Sequence, residues 1–171
     1  LDKIGGIEIV LYLNTNKNAL WSYGGVNAAN TGIDKALEDD EIDYICRLDH
    51  DDYWGPSHLD NFNNLIEKTS PDWMCSVSTY INGHLPSINN KYKTVPFLPG
   101  HALCIKSSTC INQRTIPLRT IDLYKEFGEV RLPADADLWE RTTIFIKENS
   151  LKSIAINELT CFHDEEGYSK S

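Results

Sequence analysis

Residues Arg47-Leu-Asp-His-Asp-Asp-Tyr-Trp54 crowd three carboxylates and an imidazole into four consecutive positions, directly after the strand-like run Asp43-Tyr-Ile-Cys-Arg-Leu48. A single Asp in such a place reads as a cap for the helix that begins near Pro56. Three like charges this close oppose each other's ionisation and cost stability unless a cation neutralises them. Carboxylate oxygens suit Mg2+ or Mn2+, and Mg2+ commonly leaves coordination positions open for substrate phosphates. Other uses of the cluster fail on spacing. An EF-hand loop starting at Asp49 needs an oxygen ligand, a Gly and a Glu where the chain has Tyr53, Trp54 and Asp60. A zinc site needs a second His or Cys pair beside His50 and His58, and none stands at a matching distance. An Asp-nucleophile phosphatase stays formally open, although no supporting Thr follows the second Asp. What survives is a clamp for a metal and a diphosphate.

Working outward, Ile7-Glu-Ile-Val-Leu-Tyr-Leu13 is a short β-branched run that predicts a buried strand. Val26, Ala29, Ile33, Ala36 and Leu37 recur at helical spacing and predict a helix over 26–37 despite Gly32. Asp43–Leu48 returns to strand. Pro56 suits a first helical turn, and Leu59, Phe62, Leu65 and Ile66 share one face through Lys68. Trp73–Tyr80 reads as a strand, and the Pro-, Asn- and Gly-containing stretch Ile81–Pro99 as a long loop, a candidate lid or acceptor wall. Gly100–Ile105 reads as a strand and Ser107–Gln113 as a short helical turn. Ala134–Lys147 carries an apolar stripe on a helix, and Lys152–Leu159 reads as a last strand. Alternating strands and helices predict one α/β layered domain with a mainly parallel sheet, its ligands at the carboxyl ends of the strands.

Composition narrows the partners. The chain has 171 residues, 41% of them hydrophobic and 24% charged, as in ordinary globular domains. A formal charge of −9 argues against nucleic-acid binding, which relies on a basic surface to release counterions. It leaves room for a small phosphorylated ligand if a divalent cation supplies the positive charge. No apolar run has the ~18 residues of a bilayer span. No signal peptide is visible, and the five cysteines form no CxxC pair, so the expected location is the cytoplasm.

The motifs, taken in order, resemble the family 2 glycosyltransferases of the GT-A (Rossmann-like) fold. Asn27-Ala-Ala-Asn30-Thr-Gly-Ile33 followed by Ala36 is similar to that family's N-x-G-I-x-x-A helix. Tyr44-Ile-Cys-Arg-Leu-Asp-His-Asp-Asp-Tyr-Trp-Gly-Pro56 looks like its strand ending in DxDD and Trp-x-Pro, with Asp49-His50-Asp51 as the DxD triplet. Pro99-Gly100-His-Ala-Leu-Cys-Ile-Lys106 is similar to its Gly-containing strand. Ala134-Asp-Ala-Asp-Leu-Trp-Glu-Arg141 looks like its ED-x-D-L-W-x-R helix, with Ala134 in place of the Glu. Cys161-Phe-His163 resembles its strand-end His. The match runs over about 7–165, with 1–80 as the nucleotide-sugar half and 81–171 as the acceptor half. The family's first strand has no counterpart, so the chain reads as a fragment of a longer one, in which further domains are left open.

The resemblance implies an inverting, metal-dependent transfer of a sugar from a UDP- or dTDP-sugar to an acceptor hydroxyl, such as one on a glycan. Asp51 would hold Mn2+ or Mg2+, with Asp49 on the ribose or the metal's water and His163 completing the coordination. Asp52 would face the donor sugar. Asn14, Asn27, Asn30 and Trp54 would line the donor site, Asn14 standing where the family has an acidic residue. Asp135 aligns with the catalytic base, and Asp137 is the alternative. As helix-start carboxylates both also fit a purely electrostatic role. Two rival readings stay open: a non-catalytic nucleotide-sugar-binding domain, and a sugar nucleotidyltransferase-like enzyme, which would ordinarily carry a Gly-rich basic loop near its start.

Overall fold

The computed structural model describes residues 2–4, 7–9, 25–49, 52–80, 106–121 and 134–163. Strands β1 (Asp2–Ile4) and β2 (Ile7–Ile9) form an antiparallel ladder of their own. The rest of the strand expected over 7–13 lies outside the described residues, as do the loop expected over 81–99 and the strand over 100–105. Helix α1 (Val26–Ala36) follows Gly25, whose φ of 69° lies in the left-handed region that favours glycine. Val26 and Ile33, two turns apart, are its buried residues. Strands β3 (Tyr44–Cys46) and β4 (Asp52–Trp54) flank the acidic loop. Helix α2 (His58–Thr69) starts after a turn at Pro56-Ser57, buries His58 and Phe62, and ends at Ser70 with φ 43°. Its ends carry Asp60 and Lys68, the signs that complement the helix dipole.

Among the described residues, strand β5 (Trp73–Tyr80) is the centre of a five-stranded sheet of order β3-β6-β5-β7-β4, in which β6 is Thr109–Asn112 and β7 is Ser153–His163. Helix α3 (Ala134–Glu148) completes the layers. Successive residues of β5 point to opposite faces, and both faces are covered. Trp73 and Cys75 pack with Ile111, Ile116 and Ile146, the last from α3. Met74 packs on the other side with Phe62 of α2 and with Cys110. Trp73, Met74 and Cys75 are all 0% exposed, so the sheet lies between two helical layers. Among the described residues no helix is long and apolar enough to cross a membrane.

The architecture is mixed α/β, and the mainly parallel sheet expected from the alternation of elements needs correction. Among the described strands, β5 and β7 pair in parallel, while β3 with β6, β6 with β5, and β4 with β7 pair antiparallel. Periodicity reports which face of a strand is buried and carries no information on its direction. Even so, β3, β5 and β7 run the same way, because β6 reverses direction between β3 and β5. Their carboxyl ends therefore meet at one edge of the sheet. A second correction concerns 107–113, expected as a helical turn: Lys106–Ser108 is a single 3-10 turn and Thr109–Asn112 is a strand. Thr109, Cys110 and Ile111 are all buried, so the segment lacks the alternation that marks a half-exposed strand. On this strand Cys110 stands directly opposite Cys46.

Met74→Ala should lower the unfolding free energy by about 2–5 kcal/mol, because the surrounding layers refill such a cavity only partly. Leu159→Ser, at a side chain 49% exposed, should change it by no more than about 0.5 kcal/mol. Urea titration of the two variants checks both values.

Candidate functional site

The acidic loop leaves the carboxyl end of β3 and returns as β4, which pairs with the far end of β7. Asp52 stands opposite His163, Tyr53 opposite Phe162, and Trp54 opposite Cys161. His163 is also opposite Tyr80 at the end of β5. The loop, the ends of β5 and β7, and the turn before β6 thus share one place. The Asp52 side chain is only 3% exposed, yet both its oxygens have partners. His163 Nδ1 lies 2.5 Å from Oδ1, and the Ser107 hydroxyl donates to Oδ2. Ser107 Oγ in turn accepts the Asp49 backbone N–H at 2.9 Å, and the Asp52 N–H donates to the Asp49 carbonyl at 3.1 Å. The Trp54 indole N–H donates to the Ser107 carbonyl at 2.6 Å.

This connectivity has a chemical reading. A carboxylate only accepts, so the imidazole nitrogen facing Asp52 is the one that bears hydrogen, and in the neutral ring Nε2 then carries the lone pair. The order is Ser107, Asp52, His163, with the carboxylate in the middle. A nucleophilic triad needs His between Ser and Asp, so these residues do not form one. Burial, and then the nearby Asp52 charge, push the Cys161 thiol up to about 12. At neutral pH it stays protonated and is not a nucleophile.

A second, apolar tier supports the first. His58 is 1% exposed, stacks on Trp54 at 4.8 Å and meets the Phe62 ring edge-on at 4.7 Å. Its Nδ1 lies 2.8 Å from Thr160 Oγ1, and the Thr160 carbonyl accepts the Gly55 N–H at 2.8 Å. Burial lowers the His58 pKa to about 4, so the ring is neutral and structural.

Other expected site residues have visible partners. Asn27 is half-buried in the first turn of α1. Asn30 Nδ2 donates to the Thr120 carbonyl at 2.8 Å, and Arg47 Nη1 to Thr120 Oγ1 at 3.1 Å. Asp137 accepts from Arg141 through Nε at 2.8 Å and Nη2 at 2.7 Å, while Nη2 also reaches the Arg119 carbonyl at 2.8 Å. Asp135 stands in the first turn of α3, its side chain outside the description, and Asn14, His50 and Asp51 lie outside the described residues. Among the described residues no three His, Cys, Asp or Glu side chains gather as a metal-binding group. Ser107 was not foreseen: nothing in Lys106-Ser-Ser-Thr109 marks it, since its partner is 55 positions away in the chain.

Against known proteins, no family model matches the chain, and no solved structure matches it significantly. A protein of Acanthamoeba polyphaga mimivirus, named an uncharacterized glycosyltransferase, is 31% identical over 167 residues, a span that takes in 91% of this chain. The chain is similar to that viral protein. It spans 66% of the viral protein's length.

His58 makes the fold sensitive to acid. The unfolded chain takes up a proton near the ordinary value of 6.5 and the folded chain only near 4, so stability falls as pH drops through that interval. The loss approaches about 3 kcal/mol at the acid end, at 1.36 kcal/mol per pKa unit. Denaturant midpoints between pH 7 and pH 4 should show it, and His58→Leu should flatten the slope whatever it does to stability at pH 7.

Proposed function

We propose that the chain is the donor-binding and catalytic part of an inverting, metal-dependent glycosyltransferase of the GT-A type. It would take a UDP- or dTDP-sugar as donor and a hydroxyl, such as one on a glycan, as acceptor. The observation that carries this reading is the meeting of the Asp49–Asp52 loop with His163 at the shared carboxyl ends of β3, β5 and β7. Ligands of open α/β sheets bind at that edge. The relationship to a protein named a glycosyltransferase supports the same conclusion.

The donor set fits Mn2+ or Mg2+. Carboxylates of Asp51 and Asp49 would supply oxygens, and a histidine whose Nδ1 is held by a carboxylate is the usual form of a metal-bound imidazole. The ion bound there would supply a Lewis acid against the negative charge left on the departing diphosphate. The protein's own part is to orient donor and acceptor and to take a proton. The acceptor oxygen attacks the anomeric carbon as the bond to the diphosphate oxygen breaks, and the acceptor's proton passes to a carboxylate. Asp135 is that base in this reading. The Asp137 carboxylate is already engaged by two nitrogens of Arg141, which leaves Asp135 as the base in this reading. Asn14, Asn27, Asn30 and Trp54 complete the donor side.

UDP should bind in a Mn2+-dependent manner by calorimetry, and Asp51→Ala should weaken that binding at least tenfold. Asp135→Asn should keep UDP-sugar binding and reduce transfer or donor hydrolysis by about 100- to 10,000-fold. Unchanged turnover in that variant would remove the base assignment. Tight donor binding with no turnover in the parent chain would favour a binding module.

A further inference from the structure

Resting on the metal-site reading above, we infer that Asp52 and Ser107 are positioning residues that fix the ring orientation and tautomer of His163, presenting its Nε2 as a metal-ligating lone pair. The sequence alone suggested that Asp52 faces the donor sugar. In the fold its carboxylate is almost fully buried, and both oxygens are spent inside the protein, on His163 and on Ser107. The direction of each hydrogen follows from the one before it. Asp49 donates its backbone N–H to Ser107 Oγ, so the Ser107 hydrogen is directed to Asp52 Oδ2. The remaining oxygen, Oδ1, then faces Nδ1 of His163 and can only accept. The chain of donors therefore starts at the backbone of the DxD loop and ends by setting which imidazole nitrogen carries hydrogen. Metal-bound histidines are held in this way by a carboxylate behind the ring, and loss of such a partner costs about 10- to 100-fold in metal affinity.

The arrangement makes an asymmetric amide informative. In Asp52→Asn the Ser107 hydroxyl still donates and so selects the amide oxygen, which turns the amide NH2 toward His163. Nδ1 must then accept, the hydrogen moves to Nε2, and the ligating lone pair is lost although the shape of the side chain is kept. Adding Ser107→Ala releases the amide to flip, so the double variant should regain part of what the single one loses.

The test uses Mn2+ alone as probe, with free Mn2+ followed by electron paramagnetic resonance at pH 8. Nitrogen-15 spectra of the histidine rings are recorded without metal, the His163 signal being assigned from His163→Ala. The parent should show hydrogen on Nδ1, and Asp52→Asn should show it on Nε2 with Mn2+ affinity reduced about 10- to 100-fold. Ser107→Ala in an otherwise unaltered chain should weaken Mn2+ binding only a few-fold, and it serves as the readout if Asp52→Asn does not fold. If His163→Ala weakens Mn2+ binding while Asp52→Asn and Ser107→Ala leave affinity and tautomer unchanged, the positioning role is overturned and the metal site stands. If the parent chain does not bind Mn2+, the metal-site reading itself fails, and the positioning role toward a metal falls with it.

Discussion

The parallel pairing of β5 with β7 is the constraint on which the rest of the structure depends. It runs from Trp73 opposite Ser153 to Tyr80 opposite His163, with shifts of register between Ser76 and Ser78. Since both faces of β5 are buried, slipping the register by one residue would exchange the contents of two different cores. Trp73 and Cys75 would have to fit where Met74 fits, between Phe62 and Cys110. Packing of α2 and α3 on opposite sides thus enforces a longitudinal alignment. That alignment brings His163 to the sheet edge where the acidic loop returns.

From this spine the site is assembled by short reaches. β4 is only three residues long, yet its pairing with β7 sets Asp52 against His163, and the 3-10 turn before β6 supplies Ser107. The aromatic tier of Trp54, His58 and Phe62 lies behind the polar one and joins it through the indole N–H. Three hydrogen-bonding segments, distant in sequence, therefore lean on one buried carboxylate. Such a network is strong when every member is satisfied and costly when one is removed.

The helices were legible in the sequence because a 3.6-residue stripe survives without knowledge of the partner. The spans expected over 26–37 and 134–147 differ from α1 and α3 by one residue at one end. Trp73–Tyr80 was legible as a strand, but its neighbours and their directions were not, since pairing is decided by residues far away in the chain. β7 continues to His163, past the expected end at Leu159, because Thr160 and Cys161 are buried beyond the exposed residues Asn157, Glu158 and Leu159. For the site, the acidic cluster of Asp49, Asp51 and Asp52 stood out by residue type, and His163 was singled out only through the family resemblance. Ser107 did not, because a serine acquires meaning only from what the fold brings to its hydroxyl.

Cys161 gives the arrangement one more property. It lies two residues from His163 on the same strand, and a deprotonated sulfur beside an imidazole would make half of a zinc-preferring donor set. The carboxylate that holds the histidine also helps keep the sulfur protonated, so the thiolate never becomes available at neutral pH. With its proton held, the fully buried Cys161 behaves as a small apolar side chain that packs beside the polar network without joining it.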